Sequence, residues 1–324
     1  MKVKISDVQL GMHILEIEIT NRCNLNCEYC YNRSKSIVDM PIKDVIELIQ
    51  FANKSKVSKI VISGGEASLH PEFNILENYL LTSSLDSEIV IQSNGIISKR
   101  KIENLKGFNI VHLSFEPEGI GVRKIYVKEI ISTAQKLIDN GIYAYFFATI
   151  HSKNVDKIDW MIEIAKNSGV EIGFNLCISK KDNKELSLSR EVAERITRKL
   201  YGYSLDGKIL RFTSPLVAVL RSQKTNFYEG IKGGCTAGIA ACVILPNGDV
   251  VPCPFLRVKT GNIYEEDLID VWLHSKVFSL LRQRTLFDDP CGSCEYLSYC
   301  AGCRARALEN TGKLNGFDPY CFKT

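Results

Sequence analysis

Twelve cysteines stand in a chain of 324 residues, and eleven of them fall into two regular groups. The first is Cys23-Asn24-Leu25-Asn26-Cys27-Glu28-Tyr29-Cys30, a C-x3-C-x2-C run just after an apolar segment. The second is Cys235, Cys242 and Cys253, then Cys291, Cys294, Cys300 and Cys303, then Cys321. Three thiolates close together hold three irons of a [4Fe–4S] cube and leave the fourth iron open. The other eight thiolates suffice for two more cubes of four ligands each. Such a set suits an enzyme that does chemistry at one cluster and moves electrons through the others.

Other uses of cysteine compete with this one. An even count in a short secreted chain reads as disulfides. This chain is longer, begins without an apolar signal segment and has no apolar run of about 18 residues. A cytoplasmic setting is expected, where thiols stay reduced and serve as metal ligands. Cys291-x2-Cys294 with Cys300-x2-Cys303 also spells a four-cysteine zinc knuckle. Zinc leaves the N-terminal triplet unexplained, because no fourth ligand stands near it. Apolar residues at 45% and charged residues at 24% are ordinary for a folded globular protein. The net charge of +4 does not argue for nucleic acid.

The elements that must position these cysteines alternate between strand and helix. Strands are expected at Ile14 to Thr20, Lys59 to Ser63, Glu88 to Ser93, Ile110 to Phe115, Ile142 to Ile150 and Glu171 to Ile178. Helices are expected at Pro41 to Asn53, Pro71 to Leu81, Ile125 to Asn140 and Val155 to Asn167, with Gly141 closing the third. Repeated β/α units imply a parallel sheet, open or curled. From about Cys235 onward the segments are short and irregular, and that tail reads as dependent on its metal for folding.

Several strands carry polar residues on one face. Glu16 pairs with Glu18, Gln92 with Asn94, His112 with Ser114 and Glu116, and Asn175 with Cys177. Fully buried parallel strands are apolar on both faces. A repeated polar face therefore suggests a partly hollow interior with ligands at the C-terminal strand ends. The cysteine triplet, Gly64-Gly65-Glu66 and Ser93-Asn94-Gly95 all follow strand ends. Taken without the triplet, Gly64-Gly65 would be a plain βα turn.

On these residues the chain resembles the radical S-adenosylmethionine superfamily. Cys23, Cys27 and Cys30 match its cysteine loop, and Tyr29 matches the aromatic residue that packs near the adenine. Gly64-Gly65-Glu66 matches its second motif, which implies that Glu66 holds the methionine amino group. Ser93, Asn94 and Ser114 match later strand ends near the ribose and carboxylate, and Arg123 matches a cofactor-carboxylate arginine. The Asp-Gly that usually follows Ser114 is replaced by Glu116-Pro117-Glu118-Gly119. The tail resembles the SPASM domain, with one step shortened: Cys300 to Cys303 is x2 rather than x3. By that resemblance Cys235, Cys242, Cys253 and Cys303 hold one auxiliary cluster, and Cys291, Cys294, Cys300 and Cys321 the other.

The resemblance implies a partial (β/α)6 TIM-type barrel over 1–180, a helical linker over 181–234 and an iron–sulfur domain over 235–324. It implies three [4Fe–4S] clusters and S-adenosylmethionine, cleaved to a 5′-deoxyadenosyl radical that removes hydrogen from a substrate. A reductant such as flavodoxin or ferredoxin is the implied electron donor. The substrate expected is a ribosomally made peptide, oxidised or cross-linked at a side chain. A tetrapyrrole or an aminoglycoside-type sugar is the alternative. A non-catalytic iron–sulfur electron carrier is the reading from another class, and the Gly-Gly-Glu motif speaks against it. About 13 residues precede the first strand and one helix, Ser189 to Tyr201, fills the linker. A peptide is then expected to add to a sheet edge or to need a separate recruiting protein.

Cys177 is the cysteine outside both groups. Its plainest reading is a small buried hydrophobe. Its functional reading is a hydrogen-atom donor to a substrate radical. His112, His151, Glu116 and Glu118 are candidate proton acceptors.

Overall fold

The computed structural model describes residues 1, 11–32, 36–96, 105–117, 127–221 and 234–323. The chain alternates β1 (Ile14–Thr20), α1 (Ile42–Lys54), β2 (Lys59–Gly64), α2 (Phe73–Thr82), β3 (Glu88–Ser93) and β4 (Ile110–Ser114). It continues with α3 (Val127–Asp139), β5 (Tyr143–Ile150), α4 (Ile158–Asn167), β6 (Ile172–Leu176), α5 (Arg190–Leu205), β7 (Arg211–Thr213) and α6 (Val217–Leu220). The tail adds β8 (Ala241–Ile244), β9 (Asp249–Val251), β10 (Gly261–Asn262), α7 (Leu268–His274), α8 (Lys276–Arg282) and α9 (Arg304–Thr311).

Periodicity explains the first unit. Along α1, Ile42, Val45, Leu48, Ile49 and Ala52 recur at helical spacing and are buried. They cover Leu15, Ile17 and Ile19 of β1, each fully buried. Burying each such aliphatic side chain contributes roughly 1.5–3 kcal/mol. The alternate β1 residues, Glu16 and Glu18, face the other way. Ser63 donates to Glu16 at 2.6 Å, and Arg257 pairs with Glu18. The inner face continues across the sheet by register: Gln92 beside His112 beside Tyr145, then Phe147 beside Gly173 beside Arg211. The inner face of the sheet is thus polar and aromatic, in line with the strand faces read from the sequence.

All strands join one sheet in the order β10-β9-β8-β1-β2-β3-β4-β5-β6-β7. From β8 to β7 the neighbours run parallel, and β8-β9-β10 run antiparallel. The partial α/β barrel is thus as expected, with two additions. The stretch read as a helical linker also contributes β7, whose three residues are too few to show an alternating pattern. The tail is less irregular than its sequence suggested. Ile244, Val250, Leu256, Leu268, Val271, Trp272 and Phe278 belong to the same apolar core as the barrel helices. The segment Val155 to Asn167 opens as a 3-10 turn before α4 begins. Among the described residues, no helix is long and apolar enough to cross a membrane.

Candidate active site and metal centres

The cysteine loop leaves the C-terminal end of β1 and is clamped on both sides. Arg22 forks onto Asp39, with Nε 3.0 Å from Oδ1 and a second nitrogen 2.9 Å from Oδ2. Those bonds and Thr20 hold the Asp39 carboxyl below the usual carboxylate range. On the far side Lys153 meets Glu28 at 2.6 Å, Asn183 donates to the Glu28 carbonyl at 2.9 Å, and Lys180 donates to the Tyr31 carbonyl at 3.2 Å. The loops after β5 and β6 therefore hold the loop after β1. Cys23, Cys27 and Cys30 form no disulfide; Cys23 is exposed and the other two are half-buried. Asn94 donates to Asn24 Oδ1 at 2.7 Å and lies 4.0 Å from Cys23 Sγ. Three reduced thiols on one clamped loop fit a cluster with one iron left for a ligand.

Gly64 and Gly65 press against the backbone of that loop. Gly65 N donates to the Thr20 carbonyl at 2.8 Å, and Glu66 N to the Arg22 carbonyl at 2.7 Å. A Cβ at Gly64, where φ is +140°, would stand 2.1 Å from Thr20 O; one at Gly65 would stand 2.2 Å from Arg22 O. Only glycine permits this approach. The Glu66 side chain is fully buried and accepts from Asn94 N at 2.7 Å, Ser68 Oγ at 2.9 Å and Ser93 Oγ at 3.1 Å. Burial pushes its carboxyl up, and these bonds oppose the rise. Glu66, Ser93 and Asn94, read separately from the sequence, thus form one hydrogen-bonded unit beside Cys23. Ser114 closes β4, half-buried and in register with Phe147. Arg123 and Glu118 lie outside the described residues.

In the tail, Cys291, Cys294, Cys300 and Cys321 line one cavity together. Tyr296 N points at Cys294 Sγ across 3.4 Å and Gly302 N at Cys300 Sγ across 3.3 Å. Burial lifts the Cys300 thiol to about 12, a cost that bonding to a cation offsets. Burial pushes the Cys253 thiol up, and the neighbouring Cys235 and Cys303 thiols add to the rise. Three buried arginines face the thiols: Arg284 near Cys235 and Cys300, Arg304 near Cys291, and Arg306 near Cys303. A thiolate-ligated cluster is anionic, and these cations match that charge. Arg306 also forks onto Asp318 at 2.8 and 2.7 Å, and Asp318 accepts from Cys303 N at 2.7 Å.

Cys242 departs from its expected place. It is paired with Leu15 across β8 and β1, is fully buried, and its Sγ lies 3.8 Å from Met12 Sδ within the apolar core. Residue spacing counts along the chain, but a strand sends neighbours to opposite faces.

Cys177 follows β6 and is buried against Leu186 and Tyr29. Burial lifts its thiol to about 12; the Glu116 carboxylate adds to this and Arg306 opposes it. Beside it, His151 Nε2 lies 2.6 Å from Glu116 Oε1, both side chains buried, and the Tyr29 ring is 5.9 Å from that of His151. Lys153 N donates to His151 Nδ1 at 3.2 Å, which leaves the ring proton on Nε2, toward the carboxylate. His112 takes a different part. It sits lower in the lumen, 3.3 Å from Arg211, and burial with that neighbouring charge lowers it to about 3. Arg211 and Arg257 escaped the sequence reading. The only signal for Arg257 was the Glu16 and Glu18 face, which calls for a cation.

A family model described as the Radical SAM superfamily matches residues 17–185, and one described as an iron-sulfur cluster-binding domain, SPASM, matches residues 235–304. An AdoMet-dependent heme synthase of Methanosarcina barkeri is 27% identical, covering 94% of each chain. A PqqA peptide cyclase of Gluconobacter oxydans is 25% identical, covering 94% of this chain and 88% of its own. Among solved structures, Streptococcus suis SuiB bound to S-adenosylmethionine superposes with a TM-score of 0.77 at 18% identity, covering 94% of this chain and 76% of SuiB. That likeness shows the fold. With its three-cysteine loop, its glycine-backed Glu66 unit and its cysteine-rich tail matched to these models, the chain belongs to the Radical SAM superfamily and carries a SPASM iron–sulfur domain.

Proposed function

We propose that this radical S-adenosylmethionine enzyme oxidises or cross-links a side chain of a ribosomally made peptide. The observation that carries the proposal is the position of Cys253. It follows β9, whose partner β8 lies against β1, and it feels the charge of Glu16 on the lumen face. An electron acceptor held there stands two strands from β1, the strand that leads into the Cys23 loop. When bound, S-adenosylmethionine on the N-terminal cluster supplies a carbon-centred radical, and the auxiliary clusters supply an electron sink. Cys23, Cys27 and Cys30 hold the first cluster. Glu66 receives the methionine ammonium group, which takes the place of a serine hydroxyl because the carboxylate already accepts from four donors. The Glu116–His151 pair is a proton acceptor beside Cys177, and Cys177 returns a hydrogen atom where the product keeps its oxidation level.

The likeness to a PqqA peptide cyclase supports the peptide. The likeness to a heme synthase over the same 94% of the chain supports a tetrapyrrole as the second reading. Flavodoxin or ferredoxin as reductant, and a separate recruiting protein, belong to the proposal. The test is anaerobic turnover with a peptide encoded by a neighbouring short reading frame, followed by mass spectrometry. A product lighter by two hydrogens is expected. Turnover of a tetrapyrrole with no binding of the peptide, with or without a companion protein, would overturn it.

A further inference from the structure

Arg304 opens α9, and its side chain is almost wholly buried, 2% exposed. One end of its guanidinium is accounted for. Nη1 donates to the Leu314 carbonyl at 3.1 Å and to the Gly316 carbonyl at 2.7 Å. The guanidinium also lies over the Phe287 ring, 4.4 Å from its centroid, and Phe287 packs with Cys291. Nε and Nη2 are buried and have no acceptor among the described residues. No described carboxylate pairs with Arg304, whereas Asp318 takes both prongs of Arg306. A buried cation with idle donors is costly unless an anion meets it. The idle edge borders the cavity that Cys291, Cys294, Cys300 and Cys321 line. Gly302 lines that cavity as well, and a Cβ there would stand 3.0 Å from Arg304 Nη2. Gly302, at φ +58°, leaves that space to the guanidinium.

We infer that Arg304 donates through Nε and Nη2 to sulfurs of the cluster that fits this four-cysteine cavity, and that it thereby raises the reduction potential of that cluster. A cluster on four thiolates is already anionic, and reduction adds one more negative charge. A fixed cation with two N–H donors at its edge stabilises the reduced form more than the oxidised form. Holding the Leu314 and Gly316 carbonyls occupies Nη1 alone, so a purely structural part leaves the other two donors without a use. Arg304 acts on the arrival of an electron and on no bond of the substrate. The inference rests on the iron–sulfur character of the tail and holds whether the substrate is a peptide or a tetrapyrrole.

The test uses the full-length chain reconstituted anaerobically in a Cys23→Ala/Cys27→Ala/Cys30→Ala background, so that the tail clusters alone are read. Midpoint potentials come from redox titration followed by EPR. Arg304→Gln should move one of the two tail potentials negative by about 59 mV or more and leave the other in place; that is a tenfold fall in the ratio of reduced to oxidised cluster at a fixed potential. Arg304→Lys keeps a charge and donors for the Leu314 and Gly316 carbonyls but loses the planar fork, and should move it less. With arginine labelled by nitrogen-15 in its guanidinium, the reduced background protein should show a nitrogen-15 hyperfine coupling that Arg304→Gln removes. Potentials that stay in place in Arg304→Gln, or that both move equally, would overturn the inference. So would a nitrogen-15 coupling that is absent from the background protein or survives Arg304→Gln undiminished. Loss of about four irons from both the Gln and the Lys variant would make Arg304 a residue of the fold alone and would overturn it equally.

Discussion

Replacing Asp318 by Asn should loosen both auxiliary sites at once. Asp318 is buried between them. Its carboxylate accepts both prongs of Arg306 at 2.8 and 2.7 Å, Cys303 N at 2.7 Å and Tyr320 N at 3.1 Å, while its own backbone N–H faces Cys291. The Arg306 side chain is only 6% exposed. Asn keeps the shape but strands that guanidinium without a counter-charge and sets an amide donor against a guanidinium donor. Breaking one partner of a buried pair costs about 3–5 kcal/mol. If iron loss to a chelator proceeds through local opening in rapid equilibrium, that cost speeds loss by roughly 150- to 5,000-fold. The assay is the half-life of the tail clusters in excess chelator, followed anaerobically by their absorbance. Burial alone would raise the Asp318 carboxyl, but the Arg306 charge and the hydrogen bonds outweigh it and leave it lowered. A lowered carboxyl stabilises above its unfolded pKa of about 3.9 and loses that contribution as pH falls through the folded value. The ratio of half-lives should therefore stay flat from about pH 6 to about pH 9. A half-life within about tenfold of the unaltered protein would refute the reasoning.

Gly65→Ala should empty the N-terminal site while sparing the tail, because its Cβ would meet the Arg22 carbonyl at 2.2 Å; iron should fall by about four per chain, and full content with normal S-adenosylmethionine binding would refute this. Glu16→Gln should stabilise more as pH rises. Burial first, then Glu18, lifts Glu16 from 4.5 to about 7, so its penalty is absent below about pH 4.5 and complete above about pH 7. The gain should grow by roughly 2 kcal/mol between about pH 5.5 and about pH 8.5, read from denaturation midpoints, and a gain independent of pH would count against it. Cys177→Ala should still cleave S-adenosylmethionine and abstract substrate hydrogen but fail to complete an epimerisation-type product with solvent hydrogen; unchanged product would leave Cys177 as packing.

Local signals made much of this molecule legible. Ile14 to Thr20 reads as a strand and is one to the residue, because alternation of Leu15, Ile17 and Ile19 with Glu16 and Glu18 is a period-two pattern. Gly64-Gly65 after a strand end announced a close approach, and the approach is to the loop that carries Cys23. Faces and distant partners were not legible. Cys242 has plausible spacing to Cys235 and Cys253, yet strand parity turns it into the core. β7 is too short to carry a pattern, so Arg211 had no expected place beside His112 and Tyr145. The Arg306–Asp318 pair joins residues 12 apart through a turn that only the packed tail creates. Burial and charge pairing belong to tertiary structure, and residue order alone does not display them.

The most direct measurement is 5′-deoxyadenosine formation by the anaerobically reconstituted protein, supplied with S-adenosylmethionine and a strong reductant. The unaltered chain should hold about 12 iron and 12 sulfide and form 5′-deoxyadenosine. The Cys23→Ala/Cys27→Ala/Cys30→Ala protein should keep about 8 of each in its tail and form none. A reconstituted, iron-replete chain that forms no 5′-deoxyadenosine, or a triple variant that forms as much as the unaltered protein, would contradict the assignment of those three cysteines as the seat of the chemistry.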